Sequence, residues 1–178
     1  FVATTKANIQ EMFYLSWDEL AKIKATGRWE IEAHGRRSHD DIQIDETGTL
    51  DTYLTSRFYI PGQGLESITG YKKRVAEDYI NGIMDLKEHL DIDARYFAIP
   101  LNDYGDHEIS NYEHAYEFNQ ALTRQVFKLA FIQAQQRDGL ALESFYNDRH
   151  SNPYKLKRLE VKNMSPENLL KALDHFSQ

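Results

Sequence analysis

Apolar residues recur at helical spacing in several parts of the chain. The longest such pattern runs over residues 70–90, where apolar positions lie three or four apart and predict a helix. A second helix is predicted over residues 17–26. It opens with a capping box formed by Ser16 and Glu19 and ends before Gly27. Two further helices are predicted, over residues 113–125 and from Ser165 and Pro166 onward.

Extended segments lie between these helices. Residues 29–33 alternate apolar and polar side chains, which predicts a strand. Strands that alternate with helices predict a parallel sheet with helices packed outside, in one α/β domain over residues 1–178. A polar segment over residues 35–64 interrupts the alternation and is long enough to be functional. The remaining predicted extended segments are residues 1–5, 95–99, 126–133, 141–145 and 155–161, with a hairpin arm at 54–60.

Composition narrows the possible functions of this 178-residue chain. Its net charge of −7 argues against a nucleic-acid partner, which would require a basic stripe. The chain has no cysteine, which excludes thiolate catalysis and sulfur-rich metal sites. It has no apolar run of the roughly 20 residues that span a bilayer, so no transmembrane segment is predicted. A neutral or cationic polymer remains compatible with the charge.

Polar loops follow two predicted strands, at the end where α/β folds bind ligands. His34 and His39 follow residues 29–33, and a loop beginning at Pro100 follows residues 95–99. Two histidines five residues apart can converge on Zn, Ni, Co or Fe, with Asp40 and Asp41 available to hold their second nitrogens. The alternative is a chance pair in a solvated loop.

The other histidines have weaker claims to a site. His89 lies late in a helix, where a cation complements the helix dipole. His107 and His114, with neighbouring acids, form either a second metal site or a solvated helix start. His150 is either a site residue or part of a polar loop, and His175 is expected in solvent. Arg36 and Arg37 are expected to pair with Asp40 and Asp41 rather than to bind a polymer.

Several segments together resemble one family. Residues 31–34 with His39 resemble a motif in which a strand ends in one histidine and a second follows. Residues 97–105 resemble the next motif, with an aromatic residue, a proline and a tyrosine before a glycine. Residues 152–161 and 164–170 resemble the end of the same domain. The chain is similar to the polysaccharide deacetylases (the NodB-homology group, carbohydrate esterase family 4), and within them to the biofilm poly-β-1,6-N-acetylglucosamine deacetylases.

The resemblance implies a distorted (β/α) barrel and metal-dependent removal of N-acetyl groups from an amino-sugar polysaccharide. His34 and His39 would bind a divalent ion, in first place Zn, together with an aspartate. The backbone amide of Leu101 would contribute to the oxyanion hole, at a position where the family usually has tyrosine. A location outside the cell, on its surface or in the periplasm is also implied. The expected substrate-binding residues are Pro100, Asn102, Tyr104 and Arg57.

One part of the family pattern is missing from the chain. The family's aspartate pair and the acid histidine of this branch precede the position of Phe1, and no Asp-Asp-Gly occurs here. We therefore expect the chain to be the C-terminal, larger part of the domain, incomplete at its N-terminus, with the catalytic base and acid upstream of Phe1. The alternative is a non-catalytic carbohydrate-binding or scaffold domain on a degenerate deacetylase fold.

Overall fold

The computed structural model describes residues 1–9, 13–105, 110–134, 147–159 and 165–176. The strand predicted at 141–145 and the acidic patch around His107 lie outside these residues. The described helices are α1 (Thr4–Ala7), α2 (Trp17–Ala25), α3 (Ile68–Leu90), α4 (Ala115–Val126) and α5 (Pro166–Phe176), with a 3₁₀ turn at Pro100–Asn102. The strands are β1 (Asp41–Gln43), β2 (Leu50–Thr52), β3 (Tyr59–Ile60), β4 (Gly64–Leu65), β5 (Tyr96–Ala98), β6 (Leu129–Ala134) and β7 (Leu156–Leu159).

The main sheet is parallel, as the alternation of strands and helices predicts. β5 pairs with β6, which pairs with β7. Ala33 extends this sheet through a parallel bridge to Phe97, and Val2 extends it again through a parallel bridge to Ala33. The order across the sheet therefore follows the order along the chain.

The two N-terminal segments are less regular than predicted, because Val2 and Ala33 each form bridges rather than full strands. The prediction of a strand through residue 5 is wrong, since α1 begins at Thr4. Tertiary contacts override the strand preference of threonine here. The Thr4 hydroxyl donates to Asp85 at 2.5 Å, and the Thr4 amide donates to the Gly35 carbonyl at 3.1 Å.

The sheet curls strongly. The Cζ atom of Arg158, on β7, lies 5.4 Å from the centre of the Phe1 ring. In a flat sheet, four strand spacings would separate these positions by about 19 Å. The Phe1 ring also lies 5.4 Å from that of Phe131 on β6. The parallel α/β part of the prediction is confirmed, whereas no closed barrel is found among the described strands.

Helix α3 covers the sheet with the apolar stripe that its spacing predicts. Tyr71, Val75, Tyr79 and Leu86 are all buried. The Tyr79 ring lies 4.6 Å from that of Phe97, and Phe97 stacks on Phe127 at 4.7 Å. The core therefore sits between α3 and the middle of the sheet, directly beneath the carboxyl ends of the strands.

Local capping sets the helix ends. The capping box at Ser16 and Glu19 is present, and α2 ends at Ala25, with Gly27 at a positive φ of 66°. Helix α3 begins two residues earlier than predicted, because the Ser67 side chain accepts a hydrogen bond from the Gly70 amide. The Ser165 hydroxyl caps α5 by accepting from Asn168.

The polar segment 35–64 contains two short antiparallel ribbons, β1 with β2 and β3 with β4. The single hairpin arm predicted at 54–60 is therefore wrong in extent, since only Tyr59 and Ile60 are strand residues within it. Asp45 forms the β1–β2 turn by accepting from the amides of Thr47 and Thr49. Arg74 of α3 anchors the second ribbon through an ion pair with Glu66 at 2.9 Å.

Candidate metal centre

His34 and His39 converge on one point. Their Nε2 atoms lie 2.8 Å apart, and the pair follows Ala33 at the carboxyl end of the parallel sheet. This is the edge at which α/β sheets bind ligands. The structure therefore brings together the two histidines that the sequence singled out.

The surroundings of His34 prepare it to act as a ligand. Its Nδ1 lies 2.6 Å from the carbonyl oxygen of Ala98, which can only accept a hydrogen bond. Nδ1 must therefore carry the proton, and Nε2 keeps its lone pair. Burial lowers the pKa of His34 to about 3. The pKa of His39 is also lowered, first by burial and then by Lys6. Both rings are neutral near pH 7, which is the form that binds metals.

The acids beside the histidines have a different role from the one expected. Asp40 forms ion pairs with Arg37 at 2.9 Å and with Lys6 at 3.2 Å. The second nitrogen of His34 is held by the Ala98 carbonyl instead of by an acid. The salt bridge expected for Arg37 is confirmed, while Arg36 pairs with Asp85 of α3 rather than with Asp40 or Asp41.

The donor set fits part of a divalent metal site. Two neutral imidazole nitrogens suit Zn, Ni, Co or Fe. Within the described ranges, no group of three histidine, cysteine or acidic side chains is arranged to hold an ion. These ranges therefore supply two candidate ligands for such a site and not a third.

The loop after β5 has an unusual backbone. Leu101 and Asn102 are consecutive left-handed residues, with φ of 54° and 60°. This conformation is costly for residues with a side chain and is concentrated at functional sites. Leu101 is 47% exposed, so its backbone lies at the surface of this turn. The Leu101 N–H is a candidate donor to an oxygen atom of a ligand.

The other expected substrate-binding residues are anchored to the protein itself. The Asn102 side chain accepts from the Gln133 amide at 2.9 Å, which ties the loop to β6. Pro100 is buried. The Tyr104 ring packs under the Lys155 ammonium at 4.2 Å. Arg57 Nε donates to the Glu66 carbonyl at 2.6 Å, so its contacts are with the β3–β4 ribbon rather than with the histidines.

Comparison with known proteins places this geometry in a recognised fold. No protein-family model matches the chain, and no significant match was found among curated protein sequences. The BpsB deacetylase domain of Bordetella bronchiseptica superposes with a TM-score of 0.67 at 16% identity, covering 89% of this chain and 59% of that one. A de-N-acetylase of Aggregatibacter actinomycetemcomitans superposes with a TM-score of 0.66 at 16% identity, and the match covers 89% of this chain and 53% of that one. A polysaccharide deacetylase of Bacillus cereus superposes with a TM-score of 0.53 at 11% identity, and the match covers 94% of this chain and 39% of that one.

The chain has the fold of a polysaccharide deacetylase domain. The resemblance inferred from its motifs is confirmed at the level of fold. The chain spans only 53% and 59% of the lengths of the first two structures.

A cavity of about 270 Å³ opens beside the histidine pair in this deacetylase fold. Its lining includes His34 and His39, together with Phe13, Tyr14 and Leu15 from the segment before α2. These three consecutive apolar side chains are all exposed, and a contiguous exposed apolar patch is typical of a binding surface. The cavity therefore joins the two imidazoles to an exposed aromatic surface.

Arg158 lies beside the candidate site and was not singled out from the sequence. Its guanidinium lies over the Phe1 ring, and its positive charge contributes to lowering the pKa of both His34 and His39. Its Nε is buried without a hydrogen-bond partner, and no carboxylate within the described ranges forms an ion pair with it. A half-buried arginine without an acidic partner favours the binding of an anionic group next to its guanidinium. The only sequence signal was its position on an alternating strand.

The remaining histidines lie elsewhere. His89 stacks on Trp17 with ring centres 4.2 Å apart, which supports a structural role. His114 is exposed beside Glu113 and Glu117 at the start of α4. His150 is exposed and accepts a hydrogen bond from Arg149. His107 and the side chain of His175 lie outside the described part of the chain.

Proposed function

We propose that this chain forms the larger part of a metal-dependent N-deacetylase domain that acts on an amino-sugar polysaccharide. The observation that carries the proposal is the convergence of two neutral imidazoles, 2.8 Å apart, at the carboxyl end of a parallel sheet. The fold shared with two deacetylase domains supports the same reaction class.

His34 and His39 would hold the ion through Nε2. Zn is the first candidate, and Ni, Co and Fe suit the same donors. When bound, such an ion lowers the pKa of a water ligand and polarises a carbonyl group. The third ligand would be an aspartate outside the described residues, supplied upstream of Phe1.

The reaction is hydrolysis of an acetamide. Water adds its oxygen to the carbonyl carbon, the C–N bond breaks, and the sugar nitrogen takes a proton, releasing acetate and a free amine. The Leu101 N–H would donate to the carbonyl oxygen as negative charge develops on it, which is worth about 3–4 kcal/mol in comparable sites. Arg158 would bind an anionic group beside the histidines, such as a catalytic carboxylate. The base and acid themselves would come from upstream of Phe1.

The substrate we propose is a β-linked N-acetylglucosamine polymer of the cell surface or biofilm. Phe13 and Tyr14 offer apolar faces for sugar rings beside the pair. Removal of acetyl groups makes the polymer cationic, which agrees with the net charge of −7. Action outside the cytoplasm follows from such a substrate. No helix among the described residues combines the length and apolar character needed to cross a bilayer.

The proposal is tested by acetate release from β-1,6-linked N-acetylglucosamine oligomers, using the full-length protein supplied with zinc. We expect release that falls more than about 100-fold in His34→Ala, because a metal ligand is lost. The exposed His150→Ala is the matched control and is expected to retain activity. Equal rates for wild type and His34→Ala would overturn the proposal.

A non-catalytic carbohydrate-binding domain is the second candidate. It is favoured by the absence of a third potential ligand beside the histidines in the described ranges. Oligomer binding without zinc-dependent acetate release by the full-length protein would establish it in place of the enzyme.

A further inference from the structure

One carboxylate of helix α3 holds the whole segment between the two histidines. Asp78 Oδ1 accepts from the Arg37 amide at 2.6 Å, and Oδ2 accepts from the Arg36 amide at 3.0 Å. Oδ2 also accepts from the Ser38 hydroxyl at 2.5 Å. The three donors belong to consecutive residues, so a single side chain fixes the middle of the loop.

The loop lies so close to α3 that a side chain at either of two glycines would crowd it. Gly35 has a φ of 77°, and a Cβ there would lie 1.9 Å from the Ser38 hydroxyl and 2.7 Å from Asp78 Oδ2. A Cβ on Gly82, one turn after Asp78, would lie 3.0 Å from the Gly35 carbonyl carbon. The close packing of the loop against α3 therefore restricts the loop backbone to the position seen in the structure.

Asp78 is a buried carboxylate whose contacts are with neutral donors. It is 4% exposed, and no lysine or arginine in the described ranges forms an ion pair with it. Burying a carboxylate against neutral donors is costly. An apolar residue could fill the same space, but it could not accept hydrogen bonds from all three donors. The carboxylate is explained by what it holds.

The held segment connects the two imidazoles directly. His34 precedes Gly35, and His39 follows Ser38. The Gly35 and Arg36 carbonyls are fixed as well, by the amides of Thr4 and Thr5 at 3.1 and 3.2 Å. With its middle held, the loop has little freedom to change the separation of the two rings.

We propose that Asp78 is the positioning residue of the histidine pair: it sets the convergence of the two Nε2 atoms and thereby the metal affinity of the site. The metal part of this inference rests on the proposed function. Asp78 would not touch the ion. It would act through the loop backbone, as partners behind metal ligands do.

The test is a zinc titration of the full-length protein, with binding to both histidines followed by the ¹⁵N signals of the imidazoles. Asp78→Asn keeps the shape of the side chain but leaves only one good acceptor. We expect it to weaken zinc binding about 10–100-fold while thermal unfolding stays cooperative. Glu77→Gln is the matched control, because Glu77 neighbours Asp78 on α3 but its exposed side chain pairs with Lys73 rather than with the loop. We expect a change below about twofold there.

Equal zinc affinity in Asp78→Asn and Glu77→Gln would overturn the inference. If Asp78→Asn fails to fold, Ser38→Ala is used instead, because it removes one of the three bonds. We expect it to weaken zinc binding by about threefold to tenfold, and an unchanged zinc affinity would contradict the inference. If wild type binds no zinc, the proposed function fails separately. Positioning is then read from the contact between the His34 and His39 rings in NMR spectra. Its loss in Asp78→Asn supports the inference, and its retention overturns it.

Discussion

Replacement of Asp103 should destabilise the loop that carries Leu101. Asp103 is 5% exposed and accepts hydrogen bonds from Thr52, Thr55 and Gly105, the last two at 2.7 and 3.0 Å. Asp103→Ala removes the acceptor of these three bonds, although one threonine hydroxyl can still donate to the other, 2.6 Å away. At about 1 kcal/mol for each bond, and more where the acceptor is charged, the free energy of unfolding should fall by about 3–4 kcal/mol.

Urea unfolding followed by circular dichroism measures this loss. Asp103→Asn keeps an oxygen for the Gly105 amide, and the two threonine hydroxyls can turn to accept from its NH₂ group, so a loss of about 1–2 kcal/mol is expected. Glu113→Ala, at a side chain that is 85% exposed, should change stability by no more than about 0.5 kcal/mol. A loss below about 1 kcal/mol in Asp103→Ala would refute the assignment of Asp103 as the anchor of this loop.

Four further substitutions test other parts of the structure. Phe97→Ala should lower the free energy of unfolding by about 3–5 kcal/mol in the same urea assay, because the ring is fully buried between Tyr79 and Phe127; a loss below about 1 kcal/mol would contradict this packing. Leu101→Gly should raise the midpoint of thermal unfolding slightly, since glycine adopts a φ of 54° without strain, and a clear fall would count against that backbone. Gly82→Ala should weaken zinc binding in an equilibrium titration despite the better helix propensity of alanine, and unchanged affinity would show that the loop can yield. Arg158→Met should leave folding intact but reduce acetate release by the full-length protein, and an unaltered rate would exclude a role for its charge.

The helices were largely predictable because their signals are local. The capping box at Ser16 and the serine cap at Ser165 are present where the sequence places them. The apolar stripe of α3 is buried as its spacing indicates. Only its first residues were missed, since the cap at Ser67 has no partner acid three positions later to mark it.

The extended segments were harder because their structure depends on distant contacts. Thr4 has the composition of a strand residue, yet its hydroxyl binds Asp85 and the chain turns into α1. The ribbon between β1 and β2 depends on the turn formed by Asp45, whose pKa is held at about 2 by hydrogen bonds from Thr49 and Thr47. Neither the segment around Thr4 nor the β1–β2 ribbon has a run of alternating apolar and polar residues long enough to predict its structure from the sequence.

In the candidate site, too, residues with a local signal were predicted, and residues that act through distant contacts were missed. His34 and His39 were identified from their place after a predicted strand and from the family resemblance. The groups that orient them were not, because the Ala98 carbonyl and Asp78 are 64 and 39 or more residues away in the chain. Arg158 was missed for the same reason, since nothing in its own segment indicates that the sheet curls back to Phe1.

His34 and His39 are proposed to hold a catalytic metal ion. The most direct test is the zinc content of the full-length protein after equilibration with excess zinc and removal of the unbound metal. One zinc per chain is expected for wild type, with little or none for the double variant His34→Ala, His39→Ala that still unfolds cooperatively. Full occupancy in the double variant would contradict the claim.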